Sequence, residues 1–432
     1  MSLHYQVLND QQSRTTPGLR EHLLEALESQ GIAYCLWRGS YCLHHDTAEE
    51  DKELHLLVAR DDAQRFESVL ALLGFKRALD APAASLPSLF HFFGWDAGAD
   101  AFLHLHVYCR LIAGESLLDG YSFPLEKLRL HRCRLVDGLP VSDASAELRR
   151  QLGPYRRLSA FTATLRRPVR VLQRAWWRLR GRKGQKRLAA GGALIAVVGA
   201  DATGKSTVLF HCGRWLERIF DVKMIHAGKP PATWLTAPFT AVLALMRRVT
   251  RWRPSGGRRE GQLAAGGAVQ PAAKSGRASL AYAVRAVVLA WERRQLLVRA
   301  RRLVANGQLV LCDRYPSDTF GAMDSPRLRI DPGRSGVIAA ICNWLAGIEA
   351  RLYKEIPPPD VVLRLAVSVE TAKQRNRNRA EAQREDEAYV ECRHRQNVRW
   401  QKSGTRHVYD IDADGTLADT VRRAQEAIWQ SI

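Results

Sequence analysis

A chain of 432 residues is too long for one ordinary hydrophobic core and suits two domains with a connector. Its apolar fraction, 46%, excludes a wholly disordered polymer, and no stretch reaches the roughly 20 apolar residues of a membrane-spanning helix. The net charge of +21 has to be traced to a place in the chain before it says anything about partners. The start, Met1-Ser2-Leu3-His4-Tyr5, lacks the basic then apolar pattern of a signal peptide. The eight cysteines show no Cys-x-x-Cys spacing, so reduced thiols in a cytoplasmic protein are expected.

Residues 1–148 read as a compact α/β unit. Leu23, Leu24 and Leu27 recur at helical spacing, whereas Ile32 to Trp37, Leu54 to Val58 and Ala101 to Tyr108 read as strands; Ala63 to Leu73 reads as a helix closed by Gly74. Between Arg149 and Arg187 stand fourteen Lys or Arg residues and no acidic one. The basicity is therefore local, in a connector (149–190) that also holds Trp176 and Trp177. Together with the apolar-then-basic tract 233–253, the segment 149–187 suits peripheral contact with an anionic membrane at its inner face. Nucleic acid is the less favoured partner, and a solvated arginine-rich surface is the ordinary alternative. A homodimer stays open.

From 191 to 432 the pattern becomes buried strands alternating with helices. Strands are expected at Leu194–Val198, Val222–His226, Leu309–Cys312, Val361–Val367 and Val408–Ile411, which implies a parallel five-stranded sheet covered on both faces, a three-layer α/β domain. A Gly, Ala, Arg and Ser-rich stretch near 247–277 reads as a flexible insertion.

The chemistry begins at Gly199-Ala200-Asp201-Ala202-Thr203-Gly204-Lys205-Ser206-Thr207, a Gly-x-x-x-x-Gly-Lys-Ser motif between an apolar strand and a helix. In that context backbone N–H groups cradle phosphates, Lys205 reaches the β- and γ-phosphates of ATP, and Ser206 offers a hydroxyl to Mg2+. Asp313 and Arg314 follow the strand ending at Cys312, at the sheet edge where open α/β sheets bind ligands; Asp313 is a candidate for the metal shell or for orienting the nucleophile. Arg375, Arg377 and Arg379 suit a lid that brings guanidinium groups onto a transferring phosphoryl group. Alternate positions on a helix cannot share one side, so one or two of the three are expected in the site.

In the order of these motifs, with Asp313-Arg314-Tyr315 and Val367-Ser368-Val369-Glu370 before the lid arginines, residues 193–432 resemble the thymidylate kinase family of P-loop nucleoside monophosphate kinases. The resemblance implies ATP and Mg2+ as donor and cofactor and a nucleoside monophosphate or related phosphorylated acceptor. It further implies contact of Asp201 with the acceptor sugar, contact of Arg314 with the acceptor phosphate, and a catalytic arginine in the lid. In Val288 to Gln295 it keeps Arg293 as the base-reading arginine but places Leu289 where the family has an aromatic residue. Lys229 stands in place of the family's phosphate-binding arginine segment. A second reading is an ATP-binding regulatory or scaffold subunit at the inner membrane, linked to envelope polysaccharide synthesis; an ATPase is a third.

The first domain resembles a degenerate nucleotidyltransferase fold: Gly39-Ser40 is present, but the Asp-x-Asp pair of that fold corresponds to Glu53 and His55. His44, His45, His55, His104 and His106 raise the question of zinc. Without geometry, ordinary core or surface histidines are the expected account.

Overall fold

In the computed structural model the chain divides into Met1–Gly184 and Gln185–Ile432. The described backbone covers 18–36, 53–80, 89–108, 110–113, 121–124, 133–136, 139–142, 185–228, 230–231, 276–319, 324–330, 333, 335–378, 384–397 and 400–432. Gly39, Ser40, His44, His45, Lys229, Arg379, most of the basic connector, the tract 233–253 and the insertion up to 275 lie outside the described residues. Among the described residues no helix is long and apolar enough to cross a membrane.

Among the described residues the first unit is a mixed sheet backed by two helices. Its elements are α1 (Leu19–Ser29), β1 (Tyr34–Leu36), β2 (Glu53–Val58), α2 (Ala63–Leu72), β3 (Lys76–Leu79), β4 (Leu89–Asp96) and β5 (Ala101–Tyr108). Four further strands follow, β6 (Arg110–Ala113), β7 (Tyr121–Pro124), β8 (Cys133–Val136) and β9 (Leu139–Ser142). Within the unit the sheet runs β3-β4-β5-β2-β1-β9-β8, and β6 pairs with β7. Alternation decides the faces: Leu54, Leu56 and Val58 of β2, Phe92 of β4 and Leu103, Leu105 and Val107 of β5 bury against Leu23 and Leu27 of α1 and Phe66, Val69 and Leu70 of α2. Strand β4 escaped the sequence reading, because the run Leu89 to Trp95 is apolar almost throughout and shows no period.

The second unit starts at Gln185 rather than 191. Lys186 donates its N–H to Ile219 and Leu188 donates to Gly307, which ties the short strand β10 (Arg187–Leu188) to this unit. The unit continues through β11 (Leu194–Gly199), α3 (Lys205–Leu216), β12 (Val222–His226), α4 (Gly276–Ala305), β13 (Leu309–Asp313) and α5 (Val337–Lys354). It ends with β14 (Val361–Ala366), α6 (Val369–Arg377), α7 (Glu387–Asn397), β15 (His407–Asp412) and α8 (Leu417–Ser431). The strand order is β12-β13-β11-β14-β15, with every pairing parallel, as the alternation of strands and helices implies.

Every residue of β11 is buried, so this central strand needs cover on both faces. One layer is α3 and α8, where Trp215 meets Trp429 edge to face with ring centroids 6.0 Å apart. The other is α4 and α5, which pack on each other and bury Ala290, Leu297, Ala300 and Leu352 with the sheet residues Leu194, Val310 and Val362. The thiols of Cys212 and Cys312 lie in these cores as free cysteines, and burial pushes both above the usual thiol range.

Candidate functional site

The carboxyl ends of β11, β12 and β13 converge because the three strands are in parallel register, which pairs Val197 with Asp313 and His226 with Asp313. The loop leaving β11 turns tightly into α3. Gly204 at the helix N-cap has φ 89°, a left-handed conformation that a side chain disfavours, and a Cβ on Gly199 would approach Leu365 O to 2.6 Å. Ala202 also sits at φ 64°, which costs a non-glycine residue about 1–3 kcal/mol, and Arg314 (68°) and Asp324 (61°) share this strain nearby. Three strained non-glycine residues around one sheet edge indicate a place where backbone direction matters more than local stability.

Lys205 is buried and its Nζ donates to Ala200 O, inside the loop. Burial lowers the ammonium to about 8 and the charge of Arg314 adds to the effect, although Asp201, Asp313 and Asp324 pull the other way. The Ser206 hydroxyl donates to Asp313 Oδ2 at 3.0 Å, joining the first turn of α3 to the end of β13. Asp313 Oδ1 is buried with no hydrogen-bond partner. A hydroxyl beside a carboxylate with one unpartnered oxygen is a donor set that fits a hard, oxygen-seeking cation such as Mg2+.

The Asp313-Arg314-Tyr315 segment is held from behind. The buried Tyr315 hydroxyl donates to Pro357 O, and Trp400 Nε1 donates to Tyr315 O at 2.9 Å. Arg314 Nη2 reaches Asp201 Oδ1 at 3.2 Å, and its Nη1 lies 3.8 Å from Asp324 Oδ2. Two of the four residues that the family resemblance assigns to the acceptor, Asp201 and Arg314, therefore meet each other across the site.

Arg293, expected from the resemblance as an acceptor ligand, is enclosed by the protein itself. Its side chain is 0% exposed, and its guanidinium donates to Ala227 O (3.0 Å), Gly228 O (3.3 Å), Asp324 O (3.1 Å), Asp324 Oδ1 (2.6 Å) and the Tyr353 hydroxyl (2.6 Å). Helix α4 is covered by α5, so an arginine on that face is enclosed instead of presented to a ligand. It ties the loop after β12 to the segment bearing Asp324.

Of the three arginines expected in a lid, the two described, Arg375 and Arg377, separate. Arg375 Nη2 donates to Ala413 O at 2.7 Å, and a Cβ on Gly204 would lie 4.0 Å from its Nη1, so Arg375 stands beside the phosphate loop. Arg377 is exposed and pairs with Glu387 at 2.7 Å. Helices α6 and α7 are fastened to each other and to the loop. Asn376 exchanges hydrogen bonds with the backbone of Glu385, Ala202 packs with Ala372 and Val390, and His394 Nε2 lies 3.0 Å from Asp201 O.

Sequence reasoning missed Asp324, which links Arg293 to Arg314, and the two histidines His226 and His394. His226 Nδ1 is 3.1 Å from Asp313 O and 3.4 Å from Asp313 Oδ2. The register of β12 against β13 places it there, and no local motif signals that register.

No family model matches the chain. An uncharacterized ATP-binding protein of Escherichia coli K12, YghR, is 26% identical over 239 residues, which is 54% of this chain and 86% of that protein. The protein of the same name from E. coli O6:H1 aligns to the same extent. Among solved structures, a thymidylate kinase from Candida albicans aligns over 56% of this chain and 92% of its own, with 16% identity and a TM-score of 0.32. The α/β fold of the second unit rests on its own strand order and phosphate loop.

Proposed function

We propose that residues 185–432 bind ATP with Mg2+ and transfer the γ-phosphoryl group to a nucleoside monophosphate or a related phosphorylated acceptor. The observation that carries this reading is the Ser206 to Asp313 contact, with the second oxygen of Asp313 left unpartnered beside a buried lysine and a glycine-rich helix N-terminus. The ATP-binding description of the E. coli relative supports the donor.

Mg2+, when bound by Ser206 and Asp313, neutralises charge on the phosphates. Lys205 and Arg375 stabilise the negative charge on the transferring group, while Arg314 and Asp201 position the acceptor. An acceptor phosphate oxygen forms the new P–O bond as the bond to the β-phosphate breaks, and ADP leaves. The test is a screen of radiolabelled ATP against nucleoside and sugar monophosphates, thymidylate first, with water alone as control. Label appearing in an acceptor supports the proposal. Tight ATP binding without turnover favours a regulatory subunit, a reading to which the enclosure of Arg293 lends weight, and release of phosphate to water alone indicates an ATPase.

Two expected results separate residues within the site. Arg375→Ala lowers the transfer rate by about 100-fold, at the low end of what loss of one charge-stabilising donor costs, whereas Arg377→Ala leaves it close to wild type. Steady-state kinetics on both variants checks this, and equal losses would sink the distinction.

The second concerns protons. Because burial depresses Lys205 in the folded chain, the unfolded state holds this proton up to the ordinary value of 10.5 and the folded state releases it above about 8. The resulting penalty on stability is full below pH 8 and is relieved as pH rises toward 10.5. A bound polyphosphate restores the ammonium form, so ATP binding in that window takes up protons. Calorimetry in buffers of different ionisation enthalpy should register the uptake, and Lys205→Met should remove it.

A further inference from the structure

The sheet face of the first unit that points away from α1 and α2 carries a row of imidazoles that phosphoryl transfer does not use. Strand alternation puts them there. Leu54, Leu56, Phe92, Leu103, Leu105 and Val107 enter the helix-covered core, so Glu53, His55, His91, His104 and His106 share the opposite face. Register then gathers them: β2 and β5 pair Glu53 with His104 and His55 with His106, and β4 sets His91 across from His106.

The atoms have a definite polarity. His91 Nδ1 and His104 Nε2 lie 3.0 Å apart. The far nitrogen of each ring faces a carboxylate, His91 Nε2 at 2.8 Å from Asp80 Oδ2 and His104 Nδ1 at 3.3 Å from Glu53 Oε1. An ionised carboxylate only accepts, so it suits the tautomer with the N–H on the far nitrogen. In the tautomer that puts the N–H on each far nitrogen, both near nitrogens present lone pairs that one cation can share. His106 Nε2, 3.7 Å from Glu53 Oε2, completes the group. His91, His104 and His106 each offer one ligand atom, all within 4.8 Å of one another. Their side chains are 7%, 13% and 17% exposed, and ring stacking of His104 on Phe93 and of His106 on His55 fixes their planes.

We propose that His91, His104 and His106 bind a divalent transition metal of the zinc class, with Asp80 and Glu53 orienting the first two rings. Three neutral imidazoles suit a borderline-soft ion and are poor ligands for Mg2+. Carboxylates on the remote nitrogens fix the tautomer and raise ligand basicity. A three-histidine set leaves a coordination position for water or a ligand. This inference concerns the first unit and does not depend on the kinase reading.

The test uses the full chain without a histidine tag, dialysed after zinc loading and analysed for metal, then loaded with Co2+ for its visible absorption. One zinc per chain and a tetrahedral Co2+ spectrum are expected in the wild type and in the controls His407→Ala and Lys205→Ala. His91→Ala and His104→Ala should lose both signals. Asp80→Asn, which keeps every ligand, should bind about 10–100-fold more weakly and should gain less thermal stability from added zinc. If His104→Ala fails to fold by circular dichroism, His104→Gln and Asp80→Asn decide. Wild type without stoichiometric metal would overturn the proposal in favour of a proton shared by His91 and His104. Metal retained by the folded ligand variants, or binding by Asp80→Asn as tight as wild type, would overturn it too.

Discussion

Lys205→Ala should lower phosphoryl transfer by about 100- to 1,000-fold, the loss that follows removal of one preorganised donor from a developing negative charge in a dry site. The side chain is buried and fastened to Ala200 O within its own loop, so its ammonium is positioned before any ligand arrives. Burial depresses its affinity for a proton, and a phosphate beside it reverses that depression. An interaction stronger with the transferring phosphoryl group than with the substrate acts on kcat, so the loss should appear in single-turnover rate more than in ATP affinity. Circular dichroism establishes that the variant folds. Transfer at the wild-type rate by folded Lys205→Ala would end the kinase assignment.

The second large effect is on stability. Arg293→Leu should destabilise the second unit by about 3–5 kcal/mol, because removing one member of a buried ion pair leaves the buried carboxylate of Asp324 with only the more distant Arg314. At about 2–4 °C per kcal/mol for a unit of this size, the melting temperature falls by roughly 6–20 °C. The partner left behind is Asp324, itself buried and with one oxygen already lacking a hydrogen bond, and the carbonyls of Ala227 and Gly228 lose their donor at the same time. Differential scanning calorimetry of Arg293→Leu, with Asp324→Asn and the double variant, measures the coupling. A variant with unchanged melting and a raised KM for acceptor would instead restore the acceptor-binding role that the sequence suggests.

How much could be read beforehand varied with the kind of signal. The five strands of the second unit's parallel sheet are legible because most are short β-branched or aliphatic runs between helical segments, and β11 is apolar along its whole length. The glycine-rich turn is legible because it is local: a few consecutive residues set the backbone path and present Lys205 and Ser206. That Arg375 and Arg377 point apart follows from helical geometry, which forbids them one face. Which of them stands by Gly204 required the packing of Ala372 and Val390 on Ala202.

The sequence alone thus determined the α/β class of the second unit, its glycine-rich strand-to-helix turn and the place of Asp313 at a strand end, all consequences of short-range periodicity and backbone conformation. Tertiary structure decided what long-range register and burial control. It enclosed Arg293 between α4 and α5, brought Asp324 beneath Arg314, and set His226 next to Asp313. It also converted histidines scattered from 55 to 106 into a single cluster. Sheet register is fixed by the core face of each strand, and the opposite face inherits whatever neighbours that register supplies.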